Sequence, residues 1–280
     1  MMGRVIMSGI VPPLVAPMLV DPVLDNNSWE TISKVSQMGL AAQYWAVGDT
    51  KTITINGKVG NTTFSNYTVD AFIIGFNHNS AKEGSNRIHF QIGKTTSGTD
   101  IAFCDSNYDS VGSSQGFRMN LSNNNSGGWN DSYGRKTLLG NSGTPTSPPA
   151  NSFMAALPAD LRAVMKPVTK YTDNTGGRSN TSGAVTATTD YLFFLAEFEV
   201  QGVRSWANQY EQNYQSQYDY YKAGNSKVKY RHDAIGTAVY YWSRSVYAGD
   251  TRGFCSVHPN GSTGGHYDTK SFGLAPGFAV

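Results

Sequence analysis

The sequence predicts a single α+β domain of mixed local order, and three observations carry that prediction. Helical and strand-like periodicities follow one another as helix, strands, helices, strand, helix, strands, without the regular alternation of a βαβ fold. Neither an internal repeat nor a clear linker divides the 280 residues, and that length leaves room for one large core. Charged residues make up 15% of the chain, well below the roughly 25% of an average soluble domain. Asn, Ser, Thr, Gly and Tyr stand in their place and supply hydrogen bonds and flat contact area without a strong field.

Residues 1–24 are apolar but broken by Pro12, Pro13, Pro17 and Pro22. Proline removes helical hydrogen bonds, so neither a signal-peptide core nor a membrane span is expected here. The segment is either an extended arm that packs on a neighbouring subunit or part of a larger particle, or a disordered leader. The domain proper is expected at 25–280. Its first helix starts on Asn27 as N-cap with Glu30 three residues on. Ile32, Val35, Ser36 and Met38 follow at helical spacing, and Gly39 offers the stop. Strands are expected over 51–56, 68–76 and 87–92, where apolar residues alternate or run together.

The middle is loop-rich at 123–128 and 144–149, with a short helix between them at 129–139. A stronger helix is expected over 152–165, started or kinked by Pro158. Residues 191–200 form the most apolar strand and should lie centrally. Ser205 then caps a helix that runs to Gly224 and aligns Tyr210, Tyr214, Tyr218 and Tyr221 on one face, a pattern of core packing.

Chemical signatures are sparse. The net charge of +2 implies neither nucleic acid nor an anionic membrane as partner. His78 and His89 stand eleven apart with no acidic or cysteine partner at ligand spacing, and His232, His258 and His266 make no metal pattern, so no metal or other cofactor is expected. There is no G-x-S-x-G, no paired-carboxylate signature and no phosphate or dinucleotide loop, so no catalytic residue and no enzyme are expected. Cys104 and Cys255 are expected to face the core as small apolar residues, their pairing left open. Cys255 and His258 would point to opposite faces of a strand.

The last 40 residues alternate short apolar pieces with Gly, Asp, Thr, His and Tyr in no periodic order. Trp242-x-Arg244-Ser245, Phe254-Cys255-x-Val257, Asn260-Gly261-Ser262 and the closing 273–278 stretch GLAPGF resemble the end of a C-type-lectin-like domain family. That family occurs in phages, prophages and gut Firmicutes and includes the variable proteins of diversity-generating retroelements. Upstream, the stretches at 44–49, 72–78 and 157–162 also resemble it, so the likeness covers about 28–280. Trp129-Asn130-Asp131 spells a calcium-site tripeptide of sugar-binding C-type lectins, but its order relative to the tail is wrong, and calcium ligation is not expected.

The resemblance implies a C-type-lectin-like fold, with mixed or antiparallel strands, helices packed around them, and a variable binding region at 240–280. Trp242, Arg244, Phe254, Pro276 and Phe278 would be its scaffold. Exposed ligand-binding positions would be Ser243, Val246, Tyr247, Gly249, Asp250, Arg252 and Gly253. Ser256, His258, Gly264, Gly265, His266, Tyr267 and Phe272 would complete them, with Tyr247, Tyr267 and Arg252 as anchors. Retroelement mutagenesis rewrites adenines and yields codons that cannot encode Glu, Gln, Met, Trp or Lys. From Ser243 onward none of these occurs except Lys270, fewer than the chain's own usage would give.

The implied function is a diversified receptor-binding display protein of a phage or prophage tail. It would take a bacterial surface protein or glycan as ligand and assemble as a homo-oligomer, a trimer favoured, or with tail components. Its place would be the virion, or the bacterial cytoplasm before assembly. An enzyme on the related formylglycine-generating scaffold, with Cys104 brought to Cys255, and a fixed surface adhesin are the alternatives.

Overall fold

The computed structural model describes residues 19–110 and 116–280, so the arm expected at 1–24 falls outside it for residues 1–18. The architecture is mixed α+β. The strands are β1 (Thr50–Val59), β2 (Thr62–Phe76), β3 (Ile88–Lys94), β4 (Ile101–Ala102), β5 (Val168–Asp173), β6 (Val185–Asp190) and β7 (Leu192–Phe194). After them come β8 (Lys229–Arg231), β9 (Ala234–Val239), β10 (Tyr241–Val246), β11 (Gly253–Val257), β12 (Thr263–Tyr267) and β13 (Pro276–Ala279).

A five-stranded sheet in the order β1-β2-β3-β13-β7 forms the body. β1 and β2 make a long hairpin turned at Gly60, where φ of 55° favours glycine. Along β1, Ile53 and Ile55 are buried while Thr52 and Thr54 are exposed, the period of two that puts one strand face on the core. β13 threads antiparallel between β3 and β7. Phe278 stacks on Phe90 at 5.1 Å, and Trp29 meets both rings edge-on at 5.4 and 5.7 Å.

Trp29 opens the helix Trp29–Gln37, which lays Ile32 and Val35 against this sheet layer fully buried. Each such side chain contributes about 1.5–3 kcal/mol relative to exposure. Three smaller sheets complete the fold: β10-β11-β12, β4-β8-β9 and the β5-β6 hairpin. All named strand pairs are antiparallel except β4–β8. Among the described residues no helix is long and apolar enough to cross a membrane.

Several sequence expectations change. The N-cap of the first helix is Ser28, whose hydroxyl accepts from Thr31 N at 3.1 Å. Asn27 is buried instead, its amide tied to the carbonyls of Asp21 and Val23 at 2.9 Å each. Leu24 is buried and the Trp45 indole donates to Asp21 O, so the packed body starts before residue 25. Gly39 does end the helix, at φ 73°.

The helix expected at 129–139 is a single turn, Gly128–Asp131, followed by a π-helical turn, Gly134–Leu138. That expected at 152–165 is two, Phe153–Ala156 and Ala159–Val164. Pro158 disfavours helical geometry at Leu157 and separates them. The strand expected at 191–200 shortens to β7, an edge of the sheet, and gives way to the helix Glu197–Gln201.

The helix expected from Ser205 to Gly224 does not form. Only the turns Glu211–Asn213 and Asp219–Lys222 are helical, because buried polar partners claim this segment's side chains and backbone. Tyr218 and Tyr221 are buried, whereas Tyr214 stacks half-buried on Tyr171 at 4.9 Å.

Candidate functional site

The C-terminal β-sheet carries the candidate site, and a buried ionic anchor holds it from behind. Arg244 on β10 is fully buried. Its guanidinium pairs with both oxygens of Glu199 and donates to Phe194 O at 2.9 Å and Thr172 Oγ1 at 2.8 Å. Lys170 on β5 joins the same group, bonding Glu83, Glu199 at 3.2 Å and the Tyr218 hydroxyl at 2.9 Å. Burial raises the Glu199 carboxyl, but Arg244 and Lys170 outweigh it and hold that carboxyl well below the usual range. Burial dominates at Glu83 and pushes it up to about 7. His78 drops to about 3 through burial and the nearby Lys170 charge.

Among the described residues, His78, Glu83 and Glu199 form a group able to offer three ligands to an ion, with ligand atoms within 4.8 Å of one another. His78 Nε2 lies 3.9 Å from Glu83 and 4.0 Å from Glu199 and is unpaired. His78 and His89 therefore do have acidic neighbours, which sequence spacing does not reveal. The Lys170 ammonium, however, bridges the two carboxylates, and Arg244 neutralises Glu199. Adding a cation would place excess positive charge in a closed interior, so the set fits an ammonium better than a metal ion.

A second buried carboxylate supports the surface directly. Glu197 accepts from the backbone of Trp206 at 3.1 and 3.0 Å and of Ala207 at 2.9 Å. Ala248 N donates back to Trp206 O at 3.0 Å. This clamps residues 206–207 beside the end of β10 and brings the Trp206 ring edge-on to Tyr247 at 5.6 Å. Ser245 ties the Glu197 helix to a third buried carboxylate, accepting from Glu197 N at 3.0 Å and donating to Glu211 at 2.6 Å.

On the outer side Tyr247, Asp250, Gly265, His266, Tyr267 and Lys270 line a shallow pocket of about 370 Å³. Tyr247 lies across glycines. A Cβ at Gly249 or Gly265 would fall 2.4 Å from its ring, and one at Gly253 would meet it at 3.2 Å. Arg252 pairs with both oxygens of Asp250 at 2.9 and 3.0 Å. Its guanidinium carbon also sits 4.6 Å from the centre of the Tyr267 ring. Lys270 is paired with Asp109 at 3.0 Å. His266 is held by Ser256 Oγ at 2.9 Å, and burial beside His258 lowers it to about 4.

The structure thus sorts the expected positions. Tyr247, Gly249, Asp250, Arg252, His258, Gly265, His266 and Tyr267 are at least partly exposed. Ser243, Val246, Gly253, Ser256, Gly264 and Phe272, expected on the surface, are buried. β10 is covered on both sides, Phe272 is packed among Tyr240, Trp242 and His266 at 4.7–5.2 Å, and Ser256 lies beneath His266.

Trp242, Arg244, Phe254, Pro276 and Phe278 are all buried. The Trp242 indole donates to Phe117 O at 2.7 Å. Sequence reasoning missed Trp206, Glu197, Glu199 and Lys170. An exposed Trp beside a buried Glu-x-Glu is visible only once 197–207 packs on β10.

Both cysteines are free and buried, in separate surroundings. The Cys104 backbone N–H donates to His232 Nδ1 at 3.1 Å, whereas the Cys255 thiol faces Val246 O. Burial pushes the Cys104 thiol up to about 12 and Cys255 well above its usual value, which disfavours thiolate chemistry at either.

Residues 103–280 match the family described as Domain of unknown function (DUF6273), and the chain belongs to it. The matched part is not a separate sheet, since its β13 pairs with β3 outside the match. No curated protein and no solved structure matches the chain.

Proposed function

We propose that this chain is a ligand-binding display protein, C-type-lectin-like in fold and tail-associated in a phage or prophage. Its C-terminal face would be diversified to bind molecules on bacterial surfaces. The observation that carries the reading is the division within one β-sheet. Trp242, Arg244 and Phe254 are locked in the core, while Tyr247, Asp250, Arg252, His266 and Tyr267 gather on its open side. A surface can change its side chains without unfolding only if the residues that fix its backbone are elsewhere. The scarcity of Glu, Gln, Met, Trp and Lys after residue 242 supports the same reading.

Sequencing the 3′ end of the gene across a natural population tests it. Substitutions should concentrate at 247, 249, 250, 252, 258, 265, 266 and 267, with those five residue types absent. The buried positions 243, 246, 256 and 272 should change far less. An invariant or evenly drifting tail would remove the proposal.

Assembly belongs to the same reading, because weak contacts gain strength by multivalency. Removing residues 1–18 should lower the oligomeric state, read by light scattering, while the body stays folded. An unchanged oligomer would overturn the arm's assembly role. A formylglycine-generating-type enzyme is the less supported reading, since its reactive cysteine pair has no counterpart in two separately buried thiols.

A further inference from the structure

Resting on the display reading, we infer that Trp206, Tyr247 and Tyr267 form a metal-independent subsite for an uncharged saccharide. Trp206 lies outside the tail and is 41% exposed, whereas the other four tryptophans are at most 4% exposed. Single exposed apolar side chains are ordinary on a protein surface, but this indole is fixed rather than loose, its backbone clamped by Glu197. It continues into Tyr247, and Tyr247 into the pocket that Tyr267 bounds. Tyr267 is itself 46% exposed.

The charges beside these rings are internally paired, Arg252 with Asp250 and Lys270 with Asp109. The ion pairs at the pocket are therefore closed on themselves, and the one further charge acting on Asp250, the exposed Arg178, lies outside the pocket lining. The site does offer a carboxylate and a guanidinium side by side. A sugar hydroxyl, at once donor and acceptor, is matched by such a pair, while the C–H face of a pyranose ring is matched by a flat aromatic side chain. The pocket of about 370 Å³ is of small-molecule size. A folded protein partner would need roughly 800 Å² of surface on each side. The only three-ligand group among the described residues lies in the interior, bridged by Lys170, so recognition here would use no metal.

Trp206 makes the experiment direct, because it is the tryptophan open to solvent. Its emission and iodide quenching are followed while glucose, galactose, mannose, N-acetylglucosamine and their disaccharides are added at millimolar concentration, with a chelator present. At least one sugar should shift the emission and shield Trp206 from iodide. Tyr247→Ala and, separately, Tyr267→Ala should weaken that sugar about tenfold or more, and Trp206→Phe should abolish the signal. The two Tyr rings are partly solvent-exposed, so both variants are expected to fold, checked by far-UV circular dichroism.

Failure of every sugar, or binding unchanged in both Tyr variants, overturns the subsite. The population sequencing separates this from the parent reading. A diversified tail with no sugar bound removes the saccharide alone, and a fixed tail with sugar bound removes the diversification alone.

Discussion

Replacing Glu199 by Ala should be among the most damaging single changes in the chain. Glu199 is fully buried, and its removal leaves the Arg244 guanidinium with only two neutral acceptors, Thr172 Oγ1 and Phe194 O. It also strips the cap from Ala196 N, which Glu199 accepts at 2.9 Å. Breaking a buried pair by deleting one partner costs about 3–5 kcal/mol, out of a total of about 5–15 kcal/mol for a typical domain. For a chain of this size that corresponds to a fall in Tm of about 6–10 °C.

The Glu199→Leu/Arg244→Met double variant should recover a large part of the loss. It removes the pair together and leaves Lys170 balanced by Glu83. Urea unfolding followed by circular dichroism at pH 7 reads these together with the singles Glu199→Leu and Arg244→Met, and the departure from additivity measures the coupling. A Glu199→Ala loss under about 1 kcal/mol, or a double variant that loses the sum of both singles, would refute the argument.

Three further outcomes are expected. Burial pushes the Asp268 carboxyl up to about 7 from an ordinary 3.8, so the folded chain keeps a proton that the unfolded chain releases. That stability is full below the unfolded value and is lost as pH rises through about 7; Asp268→Asn should flatten the urea midpoint between pH 5 and 8, and an unchanged slope would count against the assignment. Native protein at pH 8 should show no thiol reactive toward Ellman's reagent, and denatured protein should show both Cys104 and Cys255; a fast native thiol would revive the enzyme reading. Gly265→Val should push the Tyr247 ring off its seat, changing Trp206 emission while stability stays within about 1 kcal/mol, and an unaltered emission would show that the ring does not rest there.

The scaffold half of the site came from the family resemblance, carried by Trp242-x-Arg244-Ser245, Phe254-Cys255-x-Val257 and the closing GLAPGF stretch. Trp242, Arg244 and Phe254 are buried as expected, and the apolar runs that became β2 and β3 are where periodicity puts them. The anchor was not legible, because its charges come from separate elements. Glu83, Lys170, Glu199 and Arg244 meet only after β5, β10 and the helix Glu197–Gln201 pack together.

A neighbouring set of buried polar bonds accounts for the clearest error of periodicity, the missing helix at 205–224. Asn208 donates to Asp173 at 2.8 Å and Glu211 accepts from Asp173 N at 3.0 Å, so side chains counted as a helix surface are spent inward. Such polar bonds compete with helical turns. Tail exposure was taken from the family resemblance, and at Ser243 and Val246 it was misjudged because β10 is covered on both sides.

The position of these buried charges bears on how the outer face tolerates change. A hydrophobic core alone would hold β10 against β5 at similar or lower cost, but apolar packing admits alternative fits when neighbouring residues alter. Arg244 does not, because Glu199, Thr172 and Phe194 O fix its guanidinium from three directions. Glu197, two residues before Glu199 on the same short helix, fixes Trp206 and Ala207 by their backbone, so its hold does not depend on which side chains they carry. One helix therefore pins both β10 and the segment beside Tyr247. A substitution at Tyr247, Gly249 or Gly265 then alters which rings meet at the surface, whereas the strands beneath keep their register.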